Sequence, residues 1–136
     1  MNSSHDRARV PDRADRLLAL RQGLRRQLGD WGADGASDDA CLVLSELFSN
    51  AHRYGAPPVR VAVTLRLGGP GPKALRVEVS DRGPGFDAEA VRARWRHPSY
   101  KLAERGRGLY VVDAVSLAWG CRHTGVRHMA WADVAV

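Results

Sequence analysis

Glu46 and Asn50 lie four residues apart in the segment LVLSELFSNAHRYG, residues 42–55, whose apolar residues recur at helical spacing. Side chains at this separation lie on one face of a helix. A carboxylate can act as a general base, and an amide oxygen is a hard ligand of the kind that Mg²⁺ prefers. The structural alternative is that this pair forms a helix cap or a hydrogen bond at the rim of the core.

Asp81 follows a stretch, Leu75–Val79, in which apolar and polar residues alternate, and it has the parity of the apolar residues. Its side chain should therefore point toward the core, where a carboxylate needs a partner. In the segment DRGPGF, Gly83 and Gly85 allow a tight turn and the close approach of a ligand. A purely structural turn would explain the glycines but not the inward carboxylate.

A third group of residues lies in the segment ERGRGLYVVDAVSLAWG, where Gly106 and Gly108 precede an apolar helical pattern. A glycine-rich loop that enters a helix N-terminus suits a phosphate group. The segment is neither a P-loop, because no Gly-Lys-Ser/Thr follows, nor GxGxxG, because Val111 stands where the third glycine would be. By itself this signal has little specificity.

Two helices are predicted before the first strand. The first follows Pro11, and leucines recur in it at three- and four-residue spacing. The second carries Glu46, and Ser37 or Asp38 in the preceding loop can cap its N-terminus. The leucines of the first helix are Leu17, Leu20, Leu24 and Leu28.

The rest of the chain predicts a sheet that is covered on one face. Two alternating segments joined by GGPGPK form an antiparallel hairpin with one buried and one solvent-exposed face. The fold class predicted is therefore an α/β two-layer sandwich, with helices on one face of a mixed, mainly antiparallel sheet. The predicted elements are strands at 59–67 and 75–80, a helix at 87–95, a loop at 96–107, a helix at 109–117, and strands at 119–123 and 126–135.

The chain of 136 residues is long enough for one domain with a hydrophobic core. We predict a single domain at residues 13–136 after a disordered N-terminal segment, residues 1–12. No apolar run approaches the roughly 18 residues that a membrane helix needs, and the N-terminus lacks the apolar segment of a signal peptide. A cytoplasmic protein without membrane association is expected. Cys41 and Cys121 show neither metal nor disulfide spacing.

The net charge is +6, supplied almost entirely by arginine, and it is densest between Arg7 and Arg26. Neither zinc-finger spacing nor an aromatic RNA-binding signature accompanies this charge, so direct binding of nucleic acid is not expected. A solvated surface explains most of these arginines, and an acidic protein partner is the next interpretation. On the first helix, the residues expected to be exposed are Arg16, Arg21, Arg25 and Arg26.

Taken together, the three groups resemble the ATP-binding superfamily of gyrase, Hsp90, histidine kinases and mismatch-repair ATPases. Within it, the chain is most similar to the bacterial anti-sigma factor serine/threonine kinases. SELFSNAHRYG is similar to their N-box, DRGPGF to their first glycine box, and ERGRGLYVVDAVSLAWG to their lid end and second glycine box. The resemblance covers roughly residues 13–136 and implies a Bergerat-type ATP-binding fold.

The resemblance also implies roles for these residues. Glu46 would be the general base and Asn50 would bind Mg²⁺. Asp81 would accept a hydrogen bond from the adenine amine, which selects ATP over GTP because guanine presents a carbonyl oxygen there. The remaining residues expected to contact ATP are Arg53, Gly83, Gly85, Arg105, Gly106, Arg107, Gly108 and Leu109.

The function that the resemblance implies is an anti-sigma factor that sequesters a sigma factor. It would phosphorylate a Ser or Thr of an anti-anti-sigma factor, and it would form a homodimer. The alternative is a non-catalytic module in which nucleotide gates protein binding; Glu46 argues against this, since binding alone needs no base. A histidine kinase catalytic domain and a DNA-binding protein are the weaker alternatives.

One position departs from the family pattern. The family commonly has a Thr near the adenine, two residues before a Trp in its last strand. Trp131 matches that Trp, so Met129 occupies the Thr position. We therefore expect Met129 to affect adenine binding.

Overall fold

The computed structural model describes residues 12–96 and 107–136. Within these residues, four helices and four strands follow one another, with a short 3-10 turn before the second helix. Their bounds are α1 Arg13–Asp30, the 3-10 turn Asp34–Ala36, α2 Ser37–Tyr54, β1 Arg60–Arg66, β2 Ala74–Asp81, α3 Ala88–Trp95, α4 Arg107–Val115, β3 Ala118–Thr124 and β4 Arg127–Ala135.

The helices begin where local hydrogen bonds satisfy their first backbone amides, and one predicted cap is wrong. Asp12 caps α1, because its carboxylate accepts a hydrogen bond from the Asp15 amide at 2.8 Å. Asp12 is thus the N-cap of α1, and residues 1–11 of the segment predicted to be disordered lie outside the described residues. Neither Ser37 nor Asp38 caps α2, because the 3-10 turn runs directly into the helix and leaves Ala36 at the cap position.

The sheet has the strand order β1-β2-β4-β3, and each of its described pairings is antiparallel. The predicted fold class is confirmed, although no parallel pairing occurs within residues 12–96 and 107–136. α2 packs against the two central strands, β2 and β4, while α1 and α4 pack against α2. The core therefore lies between α2 and the centre of the sheet. Its largest fully buried side chains include Leu28, Leu44, Leu47, Phe48, Leu75, Val77 and Val79.

Strand β1 lies at the edge of the sheet and is less well covered. Val61, Val63 and Leu65 are only half-buried, and Leu67, predicted as the last inward residue of this strand, lies beyond its end and is exposed. Leu117 similarly lies beyond the end of α4 and is exposed.

The second face of the sheet carries polar and aromatic side chains. Arg76 forms two hydrogen bonds with Asp133, at 2.8 and 3.0 Å, and its guanidinium lies 4.2 Å from the centre of the Trp131 ring. The pKa of Arg76 is raised, first by its hydrogen bond to Asp133. Trp131 and Asp133 are thus on the face opposite the helices. Because side chains alternate along a strand, the faces of the remaining β4 residues follow from these two. Within the described residues, no helix is long and apolar enough to cross a membrane.

Candidate functional site

The α2 residues singled out in the sequence come together with the start of α4. Glu46 and Asn50 are both half-buried on α2. Gly108 lies in the first turn of α4, inside the helix rather than before it, and a Cβ on it would collide with the Glu46 carboxylate. The Glu46 carboxylate therefore lies directly against Gly108, so the first and third sequence groups meet in space.

Asp81 is almost completely buried at the end of β2, with 3% of its surface exposed. The inward orientation predicted from strand parity is confirmed. Its Oδ1 atom accepts hydrogen bonds from the Gly83 amide at 2.6 Å and from the Ala56 amide at 3.3 Å. Asp81 therefore fastens the segment after α2 to the glycine turn after β2, and only its Oδ2 atom remains available to a ligand.

Two glycines next to Asp81 are required by packing. A Cβ on Gly55 would overlap the Asp81 carboxyl group and lie 2.6 Å from the Ala51 carbonyl oxygen. A Cβ on Gly83 would lie 2.7 Å from the Gly55 Cα atom. The contact of Gly83 with ATP stays a prediction; in the structure, Gly83 allows two backbone segments to touch.

A cavity of about 210 Å³ lies between α2, α3, α4 and the glycine turn. It continues inward to a much smaller space of about 10 Å³ beside Asp81. The larger cavity is lined by Asn50, Tyr54, Gly85, Phe86, Val91, Arg94 and Leu109. The two spaces share four of these residues, so they form one cleft that narrows toward Asp81.

The narrow end of this cleft is filled by His128, which corrects the expectation about Met129. In the register of β4, Ser80 pairs with Met129 and Asp81 pairs with His128. Met129 shares the parity of Trp131 and therefore belongs to the face opposite the helices. The side chain next to Asp81 is that of His128, with its Nδ1 atom 3.7 Å from Asp81 Oδ2.

A comparison with family models identifies the domain. Residues 10–129 match the family model of the histidine kinase-like ATPase domain. The chain belongs to that family. Its α/β fold is that of a histidine kinase-like ATPase domain, and this membership implies ATP binding. A search of curated protein sequences found no match to the chain.

The ATPase domain brings some of the predicted residues into its cleft and leaves others out. Asn50, Gly85 and Leu109 line the cavity, whereas Arg53 is exposed, with its guanidinium over the Tyr54 ring. The expected contacts of Arg105 and Gly106 with phosphate lie outside the described residues. Arg107 is the first residue of α4, and its side chain is not described.

Besides His128, sequence reasoning missed four residues that line the larger cavity. Phe86 directly follows the glycine turn, so its position in the motif DRGPGF could have suggested a wall of the site. Tyr54 lies four residues after Asn50, on the same face of α2, and this spacing was an available signal. Val91 and Arg94 lie on α3, and no pattern in the sequence indicates which side of α3 faces the cleft.

The electrostatics of His128 predict a pH-dependent stability of the ATPase domain. Burial lowers the pKa of His128, and nearby His123 lowers it further, while Asp81 opposes the shift. Burial also lowers the pKa of His52. The unfolded chain therefore binds more protons than the folded one below the ordinary pKa of 6.5. Stability is fully present above this pH and falls as the pH is lowered through it.

We expect the free energy of unfolding to decrease between pH 7 and pH 5, by up to about 1.4 kcal/mol per pH unit for each such histidine. His128→Asn should flatten this dependence, because it removes one of the two shifted groups. His123→Asn removes an exposed imidazole from the same region and should leave most of the slope. Urea unfolding at several pH values measures the effect, and equal slopes in wild type and His128→Asn would contradict it.

Proposed function

We propose that this chain is an ATP-dependent protein serine/threonine kinase of the anti-sigma factor type. The observation that carries the proposal is the contact of the Glu46 carboxylate with Gly108 in the first turn of α4, one helical turn from Asn50 in the cavity wall. A module that only bound nucleotide would not need a carboxylate at this position. A general base at this place can accept the proton of an attacking hydroxyl group.

Mg²⁺ fits this cleft as a companion of the nucleotide. Asn50 can supply one amide oxygen, and phosphate oxygens with water would complete the shell of a small, hard cation. In the described part of the chain, no group of three or more His, Cys, Asp and Glu residues could hold a metal by itself. The metal would therefore bind together with ATP. Arg94 in the cavity wall would add a positive charge near the phosphates.

The proposed substrate is a Ser or Thr of an anti-anti-sigma factor, and the proposed captive is a sigma factor. The kinase would act in the cytoplasm and as a homodimer. Pull-down from a host lysate in ATP or ADP, followed by phosphosite mapping of the captured proteins, tests the assignment. Capture of a sigma factor together with a phosphorylated small antagonist is the expected result. Capture of partners without any phosphate transfer would instead support the alternative, a non-catalytic module in which nucleotide gates protein binding.

The proposed partner surface is the arginine patch of α1, formed by Arg16, Arg21, Arg25 and Arg26. Two of these arginines have contacts within the domain. Arg16 donates a hydrogen bond to the Val59 carbonyl oxygen and lies over the Phe48 ring, so it is tied to the domain. Arg25 pairs with Asp38 at 3.1 Å. The arginines of the patch that lie exposed and carry no such contact in the described structure are Arg21 and Arg26.

We expect Arg21→Glu with Arg26→Glu to slow association with the captured partner, most clearly at low salt, by several fold. The reason is that complementary charge steers encounter, and salt screens this attraction. Lys73→Glu with Arg122→Glu changes the net charge equally on exposed residues, one just before β2 and one on β3, and should have a smaller effect. Surface plasmon resonance at two salt concentrations measures the rates. Equal rates for both pairs of substitutions would remove α1 from the interface.

A further inference from the structure

His128 occupies the position beside Asp81 where the edge of a purine base would bind. Its side chain is 2% exposed, and a Cβ on Gly85 would collide with its imidazole. The Phe86 ring packs on the same imidazole, with 4.9 Å between the ring centres. The space that remains beside it is about 10 Å³, roughly the volume that one water molecule requires. A purine and this conformation of His128 cannot occupy the inner cleft together.

Packing against Gly85 and Phe86 holds this imidazole in place, and one of its two nitrogen atoms lacks a hydrogen bond. Its Nδ1 atom is 3.7 Å from Asp81 Oδ2, which is beyond hydrogen-bond distance. Its Nε2 atom is buried and has no hydrogen-bond partner among the described residues. A histidine kept solely for the core would ordinarily have its polar atoms paired. Moving into water would let Nε2 form the hydrogen bond that it lacks, which lowers the cost of leaving the cleft.

The position of His128 in the sheet also makes its displacement local. It is the second residue of β4, next to the β3–β4 turn, where Gly125 has a φ of 59°. Its neighbours in the sheet, Asp81 and His123, are likewise at or next to the ends of their strands. A change at this end of β4 leaves the central pairs of the sheet intact.

We propose that His128 is an occluding residue that determines the nucleotide affinity of this domain. In the closed conformation its imidazole fills the space beside Asp81, and nucleotide binds only to the conformation in which His128 has left. This inference rests on ATP binding at the proposed site and adds the residue that regulates access to it. It predicts that the domain binds adenine nucleotides more weakly than its cleft would allow.

The expected change in ADP affinity follows from the population of the open conformation. Apparent affinity is reduced by the fraction of molecules that are competent to bind. Minor conformations of proteins commonly have populations of about 0.1–10%. Removing the imidazole should therefore strengthen the binding of ADP by about 10- to 1,000-fold.

Calorimetric titration of the full chain with ADP and Mg²⁺ tests this inference. His128→Ala and His128→Ser should bind ADP more tightly than the wild type, and two small residues guard against one variant that folds poorly. His128→Phe keeps the space filled and should bind no more tightly than the wild type. Met129→Ala is the matched control, because its side chain is adjacent in β4 but on the opposite face. Thermal unfolding of each variant without nucleotide verifies that it is folded.

The outcomes separate this inference from the proposed function. Equal ADP affinity of wild type and both small variants, or weaker binding by them, would overturn the occluding role while leaving ATP binding in place. No binding by any variant would overturn both. The double variant Asp81→Asn with His128→Ala should lose most of the increase in ADP affinity that His128→Ala produces. If the double variant instead binds as tightly as His128→Ala alone, the opened space is not the base site and the inference fails.

Discussion

Glu46→Gln should reduce phosphate transfer to the protein substrate by about 10²–10⁴-fold, the usual effect of losing a general base. Gln keeps the size of the side chain beside Gly108 and removes its ability to accept a proton. The affinity for ATP should change by no more than a few fold, because the altered group is needed at the chemical step. Transfer of labelled phosphate from ATP to the captured substrate measures the rate.

Two comparisons make this result specific. Glu78→Gln removes a carboxylate from β2 on the face of the sheet opposite the helices and should leave the rate unchanged. Asn50→Ala should instead weaken the binding of Mg-ATP, since it removes the proposed metal ligand from the cavity wall. A Glu46→Gln variant that transfers phosphate at the rate of the wild type would eliminate Glu46 as the base.

Asp81→Asn should weaken the binding of ATP by about 1–3 kcal/mol, the cost of a mispaired buried polar group. The substitution is informative because Asn retains an Oδ1 atom that can accept from the Gly83 and Ala56 amides. Only the second atom changes, from an acceptor at Oδ2 to an NH₂ group that would face the amine of adenine. The fold of the glycine turn should therefore survive while the nucleotide contact is lost.

GTP provides the complementary measurement for Asp81. The wild type should bind GTP more weakly than ATP, because the carbonyl oxygen of guanine would face a carboxylate. Asp81→Asn should narrow this preference, since its NH₂ group can donate to that oxygen. Calorimetry with both nucleotides, together with urea unfolding to confirm stability, decides the matter. Equal affinity of the wild type for ATP and GTP would show that Asp81 does not contact the base.

The sequence by itself determined the elements and part of the cleft. The three- and four-residue spacing of α1 and α2 and the alternation of β2 are local patterns, and each predicted which residues face the core. The parity of β2 placed Asp81 inward, and the structure confirms it with 3% exposure. Asn50, Gly85 and Leu109 were identified from the motifs and lie in the cavity wall. Local periodicity suffices for α1, α2 and β2 because one face of each of these three elements is clearly apolar.

The tertiary structure alone decided which residue of β4 enters the cleft. One parity of this strand contains His128, Ala130, Ala132 and Val134, and the other contains Met129, Trp131 and Asp133. Each set mixes apolar and polar residues, so alternation could not distinguish the two faces. The pairing of β4 with β2, which aligns Asp81 with His128, determines which set faces the cleft. It also places Trp131 on the opposite face, in the cation–π contact with Arg76.

Contacts between distant segments likewise could not be predicted from the sequence. The hydrogen bond of Ala56 to Asp81 and the contact of Gly108 with Glu46 join residues that are far apart in the chain. No local pattern specifies such contacts, since they depend on how helices and strands pack after they form. The nucleotide motifs were therefore readable from the sequence. The space left for a base beside Asp81 was decided by the packing of His128 against Gly85 and Phe86.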